Sequence, residues 1–210
     1  MPSIVLVEPE GSAADVFSRS QAANALGLSP NTVGKLLDSR FLRDLQAARV
    51  MALAHAPQVS VTAGILPVLR TAAAAPPAHK DDDRDFIGDS PELTDEQFLE
   101  ASRRWWRCDP QMIVAAGVLP VAVAGWVTGV LAIHKADATW RLPREVRHSF
   151  TATVAGRVGA LDAPETFRVL ATDPAVADLT GKLLGARVQA AVSGGPIAYL
   201  KARTEDEASS

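Results

Sequence analysis

Residues 18 to 38 read SRSQAANALGLSPNTVGKLLD, and the order of capping, small and apolar residues in this stretch predicts two short helices joined by a tight turn. Ser18 is placed to cap the first helix, and Gly27 supplies the residue for which a positive φ costs least. Ser29 caps a second helix that begins with Pro30, because a proline at the first helical position loses no hydrogen bond. This is the layout of a helix-turn-helix.

The second helix, predicted from Pro30 to Asp38, has one apolar face, formed by Val33, Leu36 and Leu37. Its other face carries polar side chains that can reach base edges or phosphates in a DNA major groove. The predicted contacts are therefore Ser29, Asn31, Thr32 and Lys35. An ordinary helical hairpin with a glycine corner is the alternative interpretation.

The residues after the second helix complete a predicted three-helix unit. The segment 39–43 is too short for a helix and predicts a turn or a small wing, and Asp44 predicts the N-cap of a third helix ending near His55. Arg40 and Arg43 would flank the recognition helix, where they could contact phosphates, as could Arg19. A solvated surface arginine is the alternative interpretation for each.

Charge is distributed unevenly along the 210 residues, although the net formal charge is only −3. The segment 17–50 carries roughly +3, the segment 76–100 roughly −7 and the segment 101–200 roughly +4. Two mildly basic modules separated by an acidic stretch are therefore predicted. For nucleic-acid binding, the basic patches matter more than the net charge of the whole chain.

This pattern, with the Ala-, Pro- and Asp-rich composition of the middle segment, predicts a domain plan. The domains are a helix-turn-helix domain (1–70, with one or two short strands at 57–70), a mobile acidic linker (71–90), an α+β domain (91–203) and a tail (204–210). The linker aspartates Asp81, Asp82, Asp83 and Asp85 lack the glycine and terminal glutamate of a calcium loop, so they are predicted to be solvated, and no metal site is expected.

The sequence pattern of the second half predicts helices and a small, strongly bent sheet or barrel. The predicted fold class is therefore α+β. Helices are predicted from the capping box at 94–97 through Trp105 or Trp106, from 109 to 117, and from 173 to 184. Strands are predicted on both sides of a turn near Gly125, at 147–158 by alternation, at 166–170, and around a turn at 193–196.

A basic and aromatic cluster in this half is a candidate second nucleic-acid contact, since tryptophans stack on bases and arginines hold phosphates. Its residues are Arg103, Arg104, Trp106 and Arg107. The alternative is a buried tryptophan with exposed arginines. His134 and His148 could be neighbours, but two histidines without further ligands do not define a zinc site. No catalytic motif is present, so no enzyme and no cofactor are predicted.

The cysteine content and the apolar runs indicate the cellular compartment of the protein. The one cysteine, Cys108, excludes an internal disulfide and favours a reducing environment. No apolar run approaches a membrane span, and the N-terminal residues lack a basic signal-peptide region. A cytoplasmic, nucleoid-associated protein with no membrane partner is expected.

The segment 16–55 resembles the helix-turn-helix of excisionase- and MerR-like DNA-binding domains. The residues that carry the resemblance are SRSQAANALGLSPNTVGKLL, followed by the short SRFLRDL where those domains have a wing. This wing is shorter and lacks the usual glycines. The overall pattern is similar to helix-turn-helix proteins of actinobacteria and their bacteriophages. The segment from RRWWRCDP to GGPIAYL is similar to PUA- or EVE-like β-barrels, and no site residue is carried over from them.

These observations predict a sequence-specific binder of double-stranded DNA, a transcriptional regulator. Because a lone helix-turn-helix covers little DNA, the second domain is expected to supply a homodimer contact, a second DNA contact or a ligand sensor. The alternatives are a reader of RNA or modified DNA through the C-terminal domain, and a protein-interaction adaptor.

Overall fold

The computed structural model describes residues 16–189 and 195–202. The helices in these ranges are α1 (Arg19–Leu26), α2 (Pro30–Asp38), α3 (Ala47–Ala54), α4 (Asp95–Ser102), α5 (Pro110–Ala116) and α6 (Pro174–Leu183), with a 3-10 turn at Pro164–Thr166. The strands are β1 (Ile65–Thr71), β2 (Arg104–Trp106), β3 (Val118–Val123), β4 (Trp126–Leu142), β5 (Glu145–Arg157), β6 (Arg168–Val169) and β7 (Ile197–Lys201). The fold class is α+β.

Local capping chemistry sets the first two helices. Ser18 forms a reciprocal capping box with Gln21, and Gly27 ends α1 in the left-handed region at φ 62°. Helix α2 has the bounds that the sequence predicts. Helix α3 does not begin at Asp44 as predicted: Gln46 precedes it without a side-chain cap, and the Asp44 carboxylate accepts a hydrogen bond from the Gln46 N–H at 3.0 Å instead.

The segment between α2 and α3 is a turn whose apolar residues are buried. Arg40 adopts a left-handed conformation at φ 66°, and the next two residues, Phe41 and Leu42, are fully buried. The Phe41 carbonyl accepts a hydrogen bond from the Leu161 N–H at 3.1 Å. The segment therefore fastens the helices to the rest of the protein, and it does not project as a wing.

The strands form one mixed sheet with the order β2-β5-β4-β3-β1-β7, and β6 also pairs with β5. Strands β1 and β3 are parallel, with Leu69 opposite Val121. The other pairs, including β1 with β7, are antiparallel. The sheet is open, because no pairing among the described residues joins β7 to β2, so the barrel alternative is not observed.

Several predicted elements change their bounds. Helix α4 ends at Ser102, so the two tryptophans that follow, Trp105 and Trp106, belong to β2. Residues 186–189 make only isolated bridges through Arg187 to Gln58 and Trp126. The rest of the strand predicted before the turn at 193–196, the first half of that turn and the tail lie outside the described residues. None of the described helices has the length and apolar character needed to cross a bilayer.

Two apolar cores lie on the two faces of the sheet. One contains Phe98, Ile113, Leu119 and Phe150, where α4 and α5 cover the sheet. The other is continuous from residues of α1–α3 to sheet residues and α6, and it includes the fully buried Trp126. Because β1 (65–71) is an interior strand of the sheet, the predicted domain boundary at residue 70 falls within a strand.

The predicted linker is a packed segment in its second half. Ala75 and Ile87 exchange backbone hydrogen bonds of 2.9 and 2.8 Å, and Asp89 is fully buried. Burial alternates along the charged residues 81–85, and Asp82 and Arg84 are the buried ones. They form a bidentate pair, in which the Arg84 Nε and Nη2 lie 2.8 and 2.7 Å from the Asp82 carboxylate oxygens. The guanidinium's hydrogen bonds and charge outweigh burial, so the pKa of Asp82 lies below its usual value. The prediction of a solvated linker is therefore wrong at Asp82 and Asp89, whereas Asp81, Asp83 and Asp85 are exposed as predicted.

Gly88 provides a test of this packing. Its φ is 105°, and an added Cβ would lie 2.4 Å from the carbonyl oxygen of Ala73. Gly88→Ala should therefore lower the free energy of unfolding by about 3 kcal/mol, from overpacking and left-handed strain together. Gly64→Ala is the matched control, because Gly64 also has a positive φ (72°) but nothing within 4 Å of the added Cβ. It should cost about 1 kcal/mol. Equal melting temperatures for the two variants would restore the mobile-linker interpretation.

Candidate nucleic-acid interface

A side-chain cap fixes the N-terminus of α2. The Ser29 Oγ accepts a hydrogen bond from the Thr32 N–H at 3.2 Å. The two hydroxyl oxygens also lie 2.9 Å apart, within hydrogen-bond distance. Both predicted contact hydroxyls therefore already have a partner within the protein, and a base or phosphate would have to share them.

Helix α2 is amphipathic in the sense that the sequence predicts. Val33 and Leu36 are fully buried, whereas Leu37 is half-buried. On the other face, Asn31 and Lys35 are exposed and Thr32 is half-buried. Asn31 and Lys35 are one turn apart, so their side chains share one stripe of the helix surface.

The basic residues around α2 differ in their partners. Arg19 lies against the middle of the helix, with its Nη1 3.7 Å from the position that a Cβ on Gly34 would take. Arg40 is ion-paired with Glu92, and both side chains are mostly exposed. Among the described residues no acidic partner pairs with Arg19, Lys35 or Arg43, although all three are exposed.

One face of α2 borders an open cleft of about 750 Å³ between the helix and one end of the sheet. Thr32 and Lys35 line it from the helix, and Arg70 and Arg187 line it from the sheet side. None of its described lining residues is acidic. Sequence reasoning missed both arginines, because nothing in the local pattern brings residues 70 and 187 next to α2.

The predicted second contact is largely engaged within the protein. Trp106 is only 7% exposed, and its indole N–H donates to the Ser102 carbonyl at 2.7 Å, so it is not available to stack on a base. Arg103 and Arg104 are both ion-paired with Glu100, at 2.7 and 2.6 Å. The physical reason is that β2 turns Trp106 into the core and leaves the arginines beside acidic neighbours. Arg107 alone stays exposed as predicted.

The histidines and the cysteine of the second half do not come together in a common site. His134 and His148 bond to different threonines, Thr153 and Thr139, at separate registers of the β4–β5 pair. Burial raises the pKa of the Cys108 thiol to about 12, with Asp109 adding to the shift, which makes it a poor nucleophile. The described residues contain no group of three side chains suited to a metal ion.

We compared the chain with protein-family models, with curated proteins and with solved structures, and none of them matches it significantly.

Proposed function

We propose that the protein is a sequence-specific binder of double-stranded DNA that acts as a transcriptional regulator, with α2 as the recognition helix. The observation that carries the proposal is the exposed stripe of Asn31 and Lys35 on a helix whose opposite face is buried. Asparagine and lysine are side chains that read adenine and guanine edges in the major groove.

The charge around α2 supports the same proposal. Arg19, Lys35 and Arg43 are exposed and have no acidic partner among the described residues, so a phosphate backbone would not have to displace an existing ion pair. The net charge of the whole chain is negative. Attraction to DNA would therefore be local, and the helical region would approach the duplex first.

Phosphate contacts are assigned to Arg40 and Arg43. Arg43→Gln should weaken binding to all sequences alike and reduce the slope of log K against log[salt] by about one. Arg40→Gln should act in the same way but more weakly, because Arg40 already pairs with Glu92. Glu92→Gln should slightly strengthen non-specific binding. Arg141→Gln, an exposed arginine on β4, is the control. A changed sequence preference with an unchanged salt slope would contradict the assignment.

A homodimer is part of the proposal, because one recognition helix covers too little DNA for tight specific binding. Large apolar side chains are exposed on β6, on α6 and between them, where Val169 is 46%, Leu170 38% and Leu179 37% exposed. A dimer would require an inverted-repeat operator with half-sites about one helical turn apart.

The decisive experiment is selection of bound duplexes from a random library by the full chain, followed by affinity measurements on the selected site at several salt concentrations. The proposal expects a defined motif and a large affinity ratio over scrambled duplex. Equal affinity for all duplexes, or tighter binding of single-stranded RNA of the same sequence, would overturn it. No binding to any nucleic acid would favour the adaptor alternative.

A further inference from the structure

We propose that the cleft between α2 and the sheet is a binding site for a small organic phosphate, of nucleoside-monophosphate size, and that this ligand competes with DNA for Lys35. The ligand site depends only on the residues that line the cleft. Its effect on DNA rests on the proposed function. The volume of about 750 Å³ lies within the range of small-molecule sites.

The cations of the cleft set the class of ligand. The Arg187 guanidinium lies 5.0 Å from the ring centre of Trp126, and its backbone is fixed by hydrogen bonds to Pro57 and Val59 at 2.7 and 2.8 Å. Arg70 donates to the Gly195 carbonyl. Lys35 completes the set from the helix. With no acid among the described lining residues, such a set favours an anion, and a phosphate can accept from several of these donors at once.

The walls of the cleft leave room for the rest of the ligand. The parallel strands β1 and β3 both end here, with Thr71 opposite Val123, and ligands commonly bind beyond the carboxyl ends of parallel strands. The turn that follows β3 is tight, with φ of 52° at Ala124 and 98° at Gly125. Apart from Thr71 and Gln189, the rest of the lining is small or apolar and suits a flat organic body; it includes Leu28, Ala72, Ala122 and Val188.

The same geometry links the ligand to DNA. Lys35 lines the cleft and also belongs to the exposed stripe of α2. A phosphate in the cleft would occupy the Lys35 ammonium and place negative charge beside the helix, so ligand and DNA should each weaken the binding of the other by the same factor.

The first experiment is calorimetric titration of the full chain, without DNA, with inorganic phosphate, adenosine and adenosine monophosphate. The monophosphate should bind more tightly than either of its parts. Arg187→Gln should weaken that binding tenfold or more, whereas Arg141→Gln should leave it unchanged. No binding of the monophosphate at millimolar concentration, or equal affinity of the two variants, would overturn the site. Unchanged melting temperatures confirm that both variants are folded.

The second experiment measures DNA affinity with and without the monophosphate. The ligand should raise the DNA Kd of the wild type and have no effect on Arg187→Gln, whose DNA affinity without ligand should be normal. If Arg187→Gln loses DNA affinity as Lys35→Ala does, the cleft is a DNA contact and the ligand proposal fails. If no DNA is bound at all but the titration succeeds, the proposed function fails and the ligand site stands.

Discussion

Replacing Asn31 and Lys35 together by alanine is expected to abolish specific duplex binding while leaving the protein folded. A base-contacting side chain typically contributes about 1–3 kcal/mol. The double variant should therefore lose roughly 30-fold to more than 10,000-fold in affinity for the selected site. Both side chains are exposed and alanine is a better helix former than either residue, so the melting temperature should not fall.

The control replaces an asparagine and a lysine that lie away from α2. Asn24 on α1 and Lys182 on α6 are both exposed, and Lys182 makes only a surface ion pair with Asp178. Asn24→Ala with Lys182→Ala should leave DNA affinity within twofold of the wild type. If Asn31→Ala with Lys35→Ala also binds the selected site unchanged, α2 is not the recognition helix.

The largest loss of stability is expected from Arg157→Met. Arg157 is 3% exposed, pairs with the fully buried Asp89 at 3.2 Å and donates to the Ser90 carbonyl at 2.9 Å. Removing the guanidinium would leave the Asp89 charge buried with only hydrogen bonds, including one of 2.7 Å from Thr128. Breaking a buried pair in this way costs about 3–5 kcal/mol, which should lower Tm by roughly 6–20 °C.

The pH dependence gives this prediction a second readout. Burial raises the pKa of Asp89 to about 6 from 3.8, against the charge of Arg157 and the Thr128 hydrogen bond. A carboxyl with a raised pKa in the folded state contributes stability below its unfolded pKa, and this is lost as pH rises through the folded value. In the wild type, the contribution of Asp89 to stability therefore falls between pH 3.8 and about 6. Loss of Arg157 should raise the pKa of Asp89 further, so this range should extend to higher pH. The deficit of Arg157→Met should shrink on acidification from pH 7 to 5.

Two further variants isolate the cause. Arg168→Met removes an arginine that pairs with Asp95 at 2.8 Å, but its side chain is 56% exposed, so it should cost less than about 1 kcal/mol. Asp89→Asn combined with Arg157→Met removes both buried charges and should recover part of the loss. The Arg157 guanidinium also lies 4.2 Å from the ring centre of Phe98. A pH-independent loss of stability that Asp89→Asn does not relieve would show that lost packing against Phe98, not charge, is responsible.

Features set by neighbouring residues could be predicted from the sequence. The caps at Ser29, Thr94, Asp109 and Asp173 each accept the backbone hydrogen bonds expected of them, because a cap depends on residues two or three positions away. The α2 face that carries Asn31 and Lys35 follows from the same local pattern.

Features that depend on distant residues could not be predicted. The Asp89–Arg157 pair joins positions 68 residues apart, and the cleft brings Arg70 and Arg187 to α2. The run 81–85 does contain a local signal for its buried pair, because Asp82 and Arg84 are opposite charges two positions apart. On an extended segment they share a face, and both are buried while their neighbours are exposed.

The cleft is assembled from segments near residues 28–35, 70–72, 122–125, 187–189 and 195–196. A chain that has unfolded cannot bring these segments together, so any compound that occupies the cleft binds the native state alone. At 100 times its Kd such a compound adds about 2.7 kcal/mol to the free energy of unfolding, a rise in Tm of roughly 5–11 °C for a chain of this size. Thermal-shift screening of a compound library can therefore identify the ligand before any operator sequence is known.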